Sequence, residues 1–138
     1  MVIDASALVA ILLKEPEAES FIDTLDACAG PMFISPVSIY ESVAAFVRET
    51  GSSVTEARAT IEATLHVYGI AQTAISPEIG EAAITAFDRF GKGRHPAALN
   101  MGDCYSYALA KTLRLPLLFK GGDFGLTDLQ RNPGTVYF

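Results

Sequence analysis

The sequence has few cysteines and no tryptophan. Its two cysteines, Cys28 and Cys104, lie far apart and form no Cys-x-x-Cys pair. Two isolated thiols exclude a disulfide framework and a cysteine-based zinc site. They also predict a reducing compartment, for which the cytoplasm is the simplest choice.

Basic residues are scarce as well. Lysine and arginine together number 10 against 16 aspartates and glutamates, which gives a formal net charge of −6. Proteins that bind nucleic acid through their own surface normally recruit lysine and arginine to the phosphates, so the charge alone argues against that class. The argument lapses where a divalent metal ion or a basic segment of a partner protein supplies the positive charge.

Long apolar runs are absent too. No uninterrupted stretch approaches the ~18 residues of a transmembrane helix, and no basic segment followed by an apolar one opens the chain. We therefore expect no membrane contact and no export signal.

The composition that remains is rich in core material. Half of the 138 residues are hydrophobic and 19% are charged. This balance predicts one folded domain, residues 1–138, and excludes a disordered chain. The apolar content exceeds what a monomer of this size usually needs, and the surplus suits a surface covered by a partner.

Short apolar runs alternate with longer helical segments along the chain. The predicted strands are Met1–Asp4, Met32–Ser35, Ile70–Ile75, Leu117–Phe119 and Thr135–Tyr137. The predicted helices are Ala5–Leu13, Pro16–Cys28, Val37–Thr50, Val54–Tyr68, Pro77–Phe90 and Met101–Arg114. This alternation predicts an α/β fold with a mainly parallel sheet.

Four acidic residues stand out against this background. Asp4 and Asp123 follow predicted strands, and ligands of open parallel sheets bind beyond the carboxyl ends of the strands. Glu41 and Asp103 lie on predicted helices. Each aspartate also has a purely structural explanation: Asp4 as a helix N-cap, Asp103 in a first helical turn capped by Asn100, and Asp123 in a turn.

Glu41 is harder to explain structurally. Its helical neighbours three and four positions away are Val37, Ser38, Ala44 and Ala45, none of which is a cation. A carboxylate buried there without a partner would take up a proton or destabilise the fold. If the four acids converge, a divalent cation is the natural compensator, and oxygen ligands alone select Mg²⁺ or Mn²⁺. His66 and His95 show no ligand spacing.

Several segments, in this order, resemble the PIN domain and, within it, the VapC-type toxins of bacterial type II toxin–antitoxin systems. They are Val2–Ser6, Ser38–Glu41, Leu99–Ala108, Leu117–Phe124 and Thr127–Asp128. The resemblance covers nearly the whole chain. It implies a doubly wound, three-layer α/β/α sandwich with an acidic pocket for one or two Mg²⁺ or Mn²⁺ ions.

The resemblance also implies roles for individual residues. Asp4, Glu41, Asp103 and Asp123 would form the acidic site, with Asp4 and Asp103 as the first choice for direct metal ligands. Ser6 would support Asp4 by hydrogen bonding, and Asn100 would lie at the rim. The chain departs from the family at Gly122, where a polar or acidic residue is common, so Asp123 is the least secure of the four.

The implied activity is endonucleolytic hydrolysis of RNA by water activated by the metal ion. Lys92 and Arg94 would contact the RNA backbone or simply be solvated, and Lys120 would bind phosphate or neutralise nearby acids. The resemblance implies a small antitoxin as partner, and the apolar surplus suits a homodimer as well. The first two helices and the segment Val37–Val47 are the predicted contact surfaces.

Three other readings compete with this one. A PIN domain that binds RNA or a partner without cutting it is compatible with Gly122. A receiver domain would share acids at strand ends and a strand-end lysine, but the chain lacks an acid pair after the first strand. A phosphatase of the haloacid dehalogenase type needs Asp-x-Asp there, and this chain has Asp4-Ala-Ser6.

Overall fold

The computed structural model describes residues 1–131 and 136–137. Its strands are β1 (Val2–Ile3), β2 (Met32–Ile34), β3 (Ile70–Gln72), β4 (Leu117–Phe119) and β5 (Val136–Tyr137). They form one parallel sheet in the order β3-β2-β1-β4-β5. Parallel neighbours need crossover connections, which the helices supply. The predicted α/β class with a parallel sheet is confirmed.

The helices are α1 (Ala5–Leu12), α2 (Ala18–Asp26), α3 (Pro36–Thr50), α4 (Val54–Val67), α5 (Pro77–Phe90) and α6 (Met101–Leu113). Two short 3₁₀ turns follow at Phe124–Leu126 and Asp128–Arg131. Polar side chains cap five of the helices at Asp4, Ser35, Ser53, Ser76 and Asn100, where each accepts a hydrogen bond from a backbone N–H of the first turn.

Most predicted boundaries differ from the observed ones by at most one residue, and those of α2 and β3 differ by more. Helix α2 begins at Ala18 instead of Pro16, because the preceding chain turns through Lys14 at a φ of 53°. Strand β3 ends at Gln72, four residues before Ser76 caps α5. The last predicted strand is present at Val136–Tyr137, while Thr135 lies outside the described residues.

The sheet separates two apolar clusters, because successive strand residues point to opposite faces. On one face Met1, Ile3, Ile34 and Leu118 pack with buried residues of α1, α2 and α4. On the other face Val2, Leu117 and Phe119 pack with α5 and α6. The predicted three-layer α/β/α sandwich is therefore confirmed.

Most apolar residues of α1, among them Ala7, Leu8 and Ile11, are buried in the first of these clusters. The apolar character of α1, which suggested a partner surface, thus mostly serves the core. Within the described residues, no helix has both the length and the apolar character needed to cross a bilayer.

The strand order reverses direction at β1, which has β2 on one side and β4 on the other. At such a switch point the connections leave in opposite directions and open a crevice beyond the carboxyl ends of the strands. Asp4 follows β1, Ser35 follows β2 and Lys120 follows β4. The fold thus brings these three residues to one edge of the sheet.

Candidate active site

A cleft of about 460 Å³ lies at this edge and contains three of the four predicted acids. Asp4, Glu41 and Asp103 all line it, together with Ser6 and Asn100. Strand β1 supplies the first acid, α3 the second and the first turn of α6 the third. Residues distant in the sequence therefore meet in one acidic cleft, as expected if they work together.

Asp4 is the floor of the cleft and is only 3% exposed. Its Oδ2 accepts hydrogen bonds from the backbone N–H of Ser6 at 2.9 Å and from the Ser6 hydroxyl at 2.6 Å. Its Oδ1 accepts a hydrogen bond from the Ser106 hydroxyl at 2.6 Å. Asp4 is thus the N-cap of α1, as the structural explanation predicted, and Ser6 supports it as the resemblance implied.

Ser6 in turn fixes the start of the segment after β4. Its hydroxyl oxygen accepts a hydrogen bond from the backbone N–H of Lys120 at 3.0 Å. The side chain of Lys120 forms ion pairs with Glu15 and Glu17. Of the two predicted roles for Lys120, the structure has the neutralising one. The hydrogen bonds that its ammonium donates to Glu15 and Glu17 raise the pKa of this lysine.

Asp103 combines a capping role with a position in the cleft. Its Oδ2 accepts a hydrogen bond from the backbone N–H of Asn100 at 2.8 Å, and Asn100 Oδ1 accepts one from the N–H of Asp103 at 3.0 Å. This reciprocal capping box gives both Asn100 and Asp103 a structural role at the start of α6. Burial nevertheless raises the pKa of Asp103 to about 6, and the charges of Asp4 and Asp123 act in the same direction.

Glu41 is half-buried and is the most perturbed acid of the cleft. Burial raises its pKa to about 7, with further contributions from the negative charges of Asp4 and Asp103. Its carboxylate lies directly against Gly102, where a Cβ would overlap both carboxylate oxygens. Glycine at this position of α6 therefore leaves the room that the Glu41 carboxylate occupies.

Asp123 stands apart from the other three acids. It is exposed, does not line the cleft, and makes no side-chain cap to the 3₁₀ turn that follows it. Its charge still acts on Asp103. A Cβ at the neighbouring Gly122 would meet nothing within 4 Å, so no steric requirement explains the glycine there. The role predicted for Asp123 stays a prediction.

The chemistry of the donor set fits a hard divalent cation. The acids of the cleft offer only carboxylate oxygens, which Mg²⁺ and Mn²⁺ prefer, and two of them have pKa values raised by burial and mutual repulsion. Among residues 1–131 and 136–137, however, no three histidine, cysteine or acidic side chains are grouped as a preformed metal site. The assignment of Asp4 and Asp103 as metal ligands therefore stays a prediction.

The basic loop after α5 and the histidines lie outside this cleft. Arg94 pairs with Asp88 at 2.9 Å, and its guanidinium lies 5.0 Å from the centre of the Phe87 ring. Lys92 is exposed beside a second cleft, which Asn100 shares with the acidic one. His66 is exposed on α4, and His95 Nδ1 accepts a hydrogen bond from the N–H of Ala97.

The second cleft is apolar and has a volume of about 350 Å³. Ile84 and Phe87 of α5 and Met101 of α6 line it while being 63%, 46% and 68% exposed. We call these three residues the α5–α6 patch. The sequence did not single out this surface.

Sequence reasoning also missed Ser106 and Gly102, which shape the environment of the acids. Ser106 follows Asp103 by three positions on α6, the spacing at which two helical residues share a face. A serine at that distance from a candidate acid, among the apolar residues in the middle of α6, was the available signal.

Comparison with known proteins adds the family. The profile of the PIN domain matches residues 1–128. The chain belongs to the PIN domain family.

Several curated PIN domain proteins resemble the chain over nearly its whole length. A ribonuclease VapC of Mycolicibacterium smegmatis is 45% identical over 94% of this chain and 97% of its own. Ribonuclease VapC30 of Mycobacterium tuberculosis is 43% identical, over 94% and 95%. A VapC ribonuclease of Rhizobium meliloti is 36% identical, over 92% and 97%. Within the PIN domain family the chain therefore falls in the VapC group.

Two solved structures share the PIN domain fold of this chain. Mycobacterium tuberculosis VapC20, described as a sarcin–ricin loop cleaving toxin, has a TM-score of 0.71 at 13% identity, covering 98% of this chain and 95% of its own. A chain of a toxin–antitoxin complex from Klebsiella pneumoniae has a TM-score of 0.66 at 19% identity, covering 98% and 94%. Membership of the family removes the receiver and haloacid dehalogenase readings.

Proposed function

We propose that this PIN domain is an endoribonuclease dependent on Mg²⁺ or Mn²⁺ and acts as the toxin of a toxin–antitoxin pair. The observation that carries the proposal is the meeting of Asp4, Glu41 and Asp103 in one cleft. The names of its relatives, VapC ribonucleases at 36% to 45% identity, support the same activity and substrate.

Asp4 and Asp103 are the proposed ligands of the metal ion, each with oxygen lone pairs left beyond its hydrogen bonds. When bound, such an ion supplies positive charge beside the phosphodiester and lowers the pKa of water. Glu41 would hold the attacking water and accept its proton at a carboxylate oxygen. Asp123 would add negative charge on the outer side, acting through Asp103.

The charge of the chain makes the cation necessary for substrate binding as well. With a net charge of −6 and an acidic cleft, the protein repels the RNA backbone unless positive charge is added. Two described cations border this region: Arg48 lines the acidic cleft and is paired with Glu49, and Lys92 lines the apolar cleft beside Asn100. Either would meet a phosphate at the rim. Arg94 lines neither cleft.

We propose an antitoxin and a second copy of the chain as its protein partners. The toxin–antitoxin complex among the proteins of similar fold supports the first. For the second, the α5–α6 patch is an exposed apolar surface of the kind that a subunit interface covers. Analytical ultracentrifugation tests the assignment: a dimer is expected for the purified chain and a monomer for Phe87→Glu, whereas a dimer in both would assign the interface elsewhere.

Cleavage of a mixture of structured RNAs by the purified chain tests the enzymatic proposal. We expect cleavage with Mg²⁺ or Mn²⁺, none with a chelator, and none for Asp4→Asn. Asp26→Asn, which changes an exposed aspartate at the end of α2, is the matched control and should cleave normally. RNA that is bound but left intact under all conditions would favour the non-cutting PIN domain, and cleavage in the presence of chelator would contradict the metal requirement.

A further inference from the structure

Three buried serines form a hydrogen-bonded chain that leads from Asp4 into the interior. Asp4 Oδ1 accepts from Ser106 Oγ at 2.6 Å, Ser106 Oγ lies 3.2 Å from Ser38 Oγ, and Ser38 Oγ lies 3.0 Å from Ser35 Oγ. The residues are 0%, 1% and 2% exposed in the order Ser106, Ser38, Ser35. We call them the serine chain. Buried hydroxyls need partners, and these satisfy one another and Asp4.

The charge of Asp4 orders the protons of the serine chain. An ionised carboxylate only accepts hydrogen bonds, and each hydroxyl has a single proton to donate. Ser106 must donate to Asp4 and therefore accepts from Ser38, and Ser38 accepts in turn from Ser35. Ser35 Oγ also accepts from the backbone N–H of Ser38 at 3.0 Å, so the chain ends on the first turn of α3.

The serine chain also joins the two helices that bear the other acids. Ser106 lies three residues after Asp103 on α6, and Ser38 lies three residues before Glu41 on α3. Each helix thus contributes one acid to the cleft and one serine to the interior behind it. A contact between Ser38 and Ser106 fixes α3 against α6 at the level of Asp4.

We propose that Ser106, supported by Ser38, is a positioning residue that holds Asp4 in the orientation needed to bind the metal ion. The inference rests on the proposed function, because it assumes that Asp4 is a metal ligand. Groups that hydrogen-bond to metal ligands orient them, and losing such a group typically weakens metal affinity about 10- to 100-fold. Ser106 is the one described side chain, besides Ser6, that donates a hydrogen bond to the Asp4 carboxylate.

Calorimetric titration of the full chain with Mn²⁺, without RNA, tests the proposal. Ser106→Ala should weaken Mn²⁺ binding by about 10-fold or more. The matched control is Ser42→Ala, which removes a hydroxyl that is equally buried on α3 but donates to the backbone oxygen of Ser38, outside the serine chain. It should bind Mn²⁺ like the wild type. Circular dichroism and thermal melting establish that each variant is folded.

Ser38→Ala keeps the hydrogen bond from Ser106 to Asp4 and serves as the second variant if Ser106→Ala does not fold. It should weaken Mn²⁺ binding by a smaller factor. In the double variant Ser38→Ala/Ser106→Ala, the Ser38 change should add nothing, because its effect travels through Ser106. If the two substitutions acted independently, their fold-changes in Mn²⁺ affinity would instead multiply.

The outcomes separate this inference from the proposed function. Wild-type affinity in Ser106→Ala, or an equal loss in Ser42→Ala, overturns the positioning role while leaving the metal site intact. Absence of Mn²⁺ binding by the wild type, or unchanged binding by Asp4→Asn, overturns the proposed metal site and the positioning role with it.

Discussion

The acidic cleft stabilises Asp4 at its floor differently from Glu41 and Asp103 at its rim. At the floor, Asp4 is nearly fully buried but accepts three hydrogen bonds, from the backbone and hydroxyl of Ser6 and from Ser106. At the rim, Glu41 and Asp103 are more exposed, yet burial and neighbouring charges raise their pKa values to about 7 and about 6. Hydrogen bonds support the floor. At the rim, Arg48 also lines the cleft but is paired with Glu49, and it is not among the charges that shift the pKa values of Glu41 and Asp103.

This difference shows that burial alone does not decide how much a carboxylate destabilises the folded protein. A carboxylate that accepts several hydrogen bonds tolerates a buried position, whereas one facing other carboxylates favours a proton or a cation. The rim is therefore where a divalent ion has most to contribute. At the floor, hydrogen bonds already hold Asp4 as a proposed ligand for such an ion.

The largest expected effect comes from neutralising Asp4 at the floor of the cleft. Asp4→Asn should reduce RNA cleavage by at least about a thousandfold, the scale of losing a group that acts in the transition state. The fold should persist, because the amide oxygen can still cap α1. A fluorogenic RNA assay and circular dichroism measure the two quantities. Cleavage within tenfold of the wild type would remove Asp4 from the site.

The next largest effect is expected from moving the Glu41 carboxylate at the rim without changing its charge. Gly102→Ala puts a Cβ where the Glu41 carboxylate lies, and this flexible side chain must move. Such a misplacement should lower cleavage by on the order of 100-fold with little loss of stability. Gly80→Ala is the control: it too lies in a helix, its Cβ would meet nothing, and cleavage should not change. Equal activities would mean that the position of Glu41 is unimportant.

The strain at the rim should appear as a pH dependence of stability. Glu41 has its usual pKa of 4.5 when unfolded and about 7 when folded, so the folded state binds this proton more tightly. The free energy of unfolding should therefore decrease as the pH rises from about 4.5 to about 7. Asp103 acts in the same direction between 3.8 and about 6.

Thermal melts in chelator should show this decrease, and Glu41→Gln should flatten it. Glu81→Gln, at an exposed position of α5, should leave it unchanged. Excess Mg²⁺ should raise the melting temperature most at the upper end of the range, since it binds the folded, ionised cleft. A wild-type profile that is flat without metal would contradict the strain assigned to the rim.

The smallest expected effect belongs to Asp123. This residue is exposed and reaches the cleft only through its charge on Asp103. Asp123→Asn should lower cleavage by about tenfold or less. In the same RNA assay, the difference in cleavage between Asp123→Asn and the wild type should be smaller at high salt than at low salt, because salt screens the charge. A loss as large as that of Asp4→Asn would move Asp123 from the periphery to the centre of the site.

Much of the fold could be predicted from the sequence because its signals are local. Apolar runs such as Leu117–Phe119 indicate buried strands, and capping residues such as Ser53 and Asn100 mark where helices begin. The start of α2 was wrong because Pro16 looks like a first-turn residue, while the chain around Lys14 is still turning. That turn depends on backbone geometry that composition does not reveal.

The site was only partly predictable, for a different reason. The acids were identified because carboxylates among apolar residues need an explanation, as at Glu41. The serine chain gave only a weak signal, the three-residue spacing of Ser106 from Asp103, because a small hydroxyl fits among apolar helical residues until its partners are known. The α5–α6 patch was missed because Ile84 and Phe87 have the spacing of ordinary core residues.

The central claim, that the acids of this cleft together hold a hard divalent cation, is tested most directly by anomalous diffraction from crystals grown with Mn²⁺. The account predicts a manganese peak in the cleft, bound to carboxylate oxygens of Asp4 and Asp103. Well-ordered crystals with saturating Mn²⁺ and no peak there, or a peak confined to acids elsewhere on the surface, would contradict it.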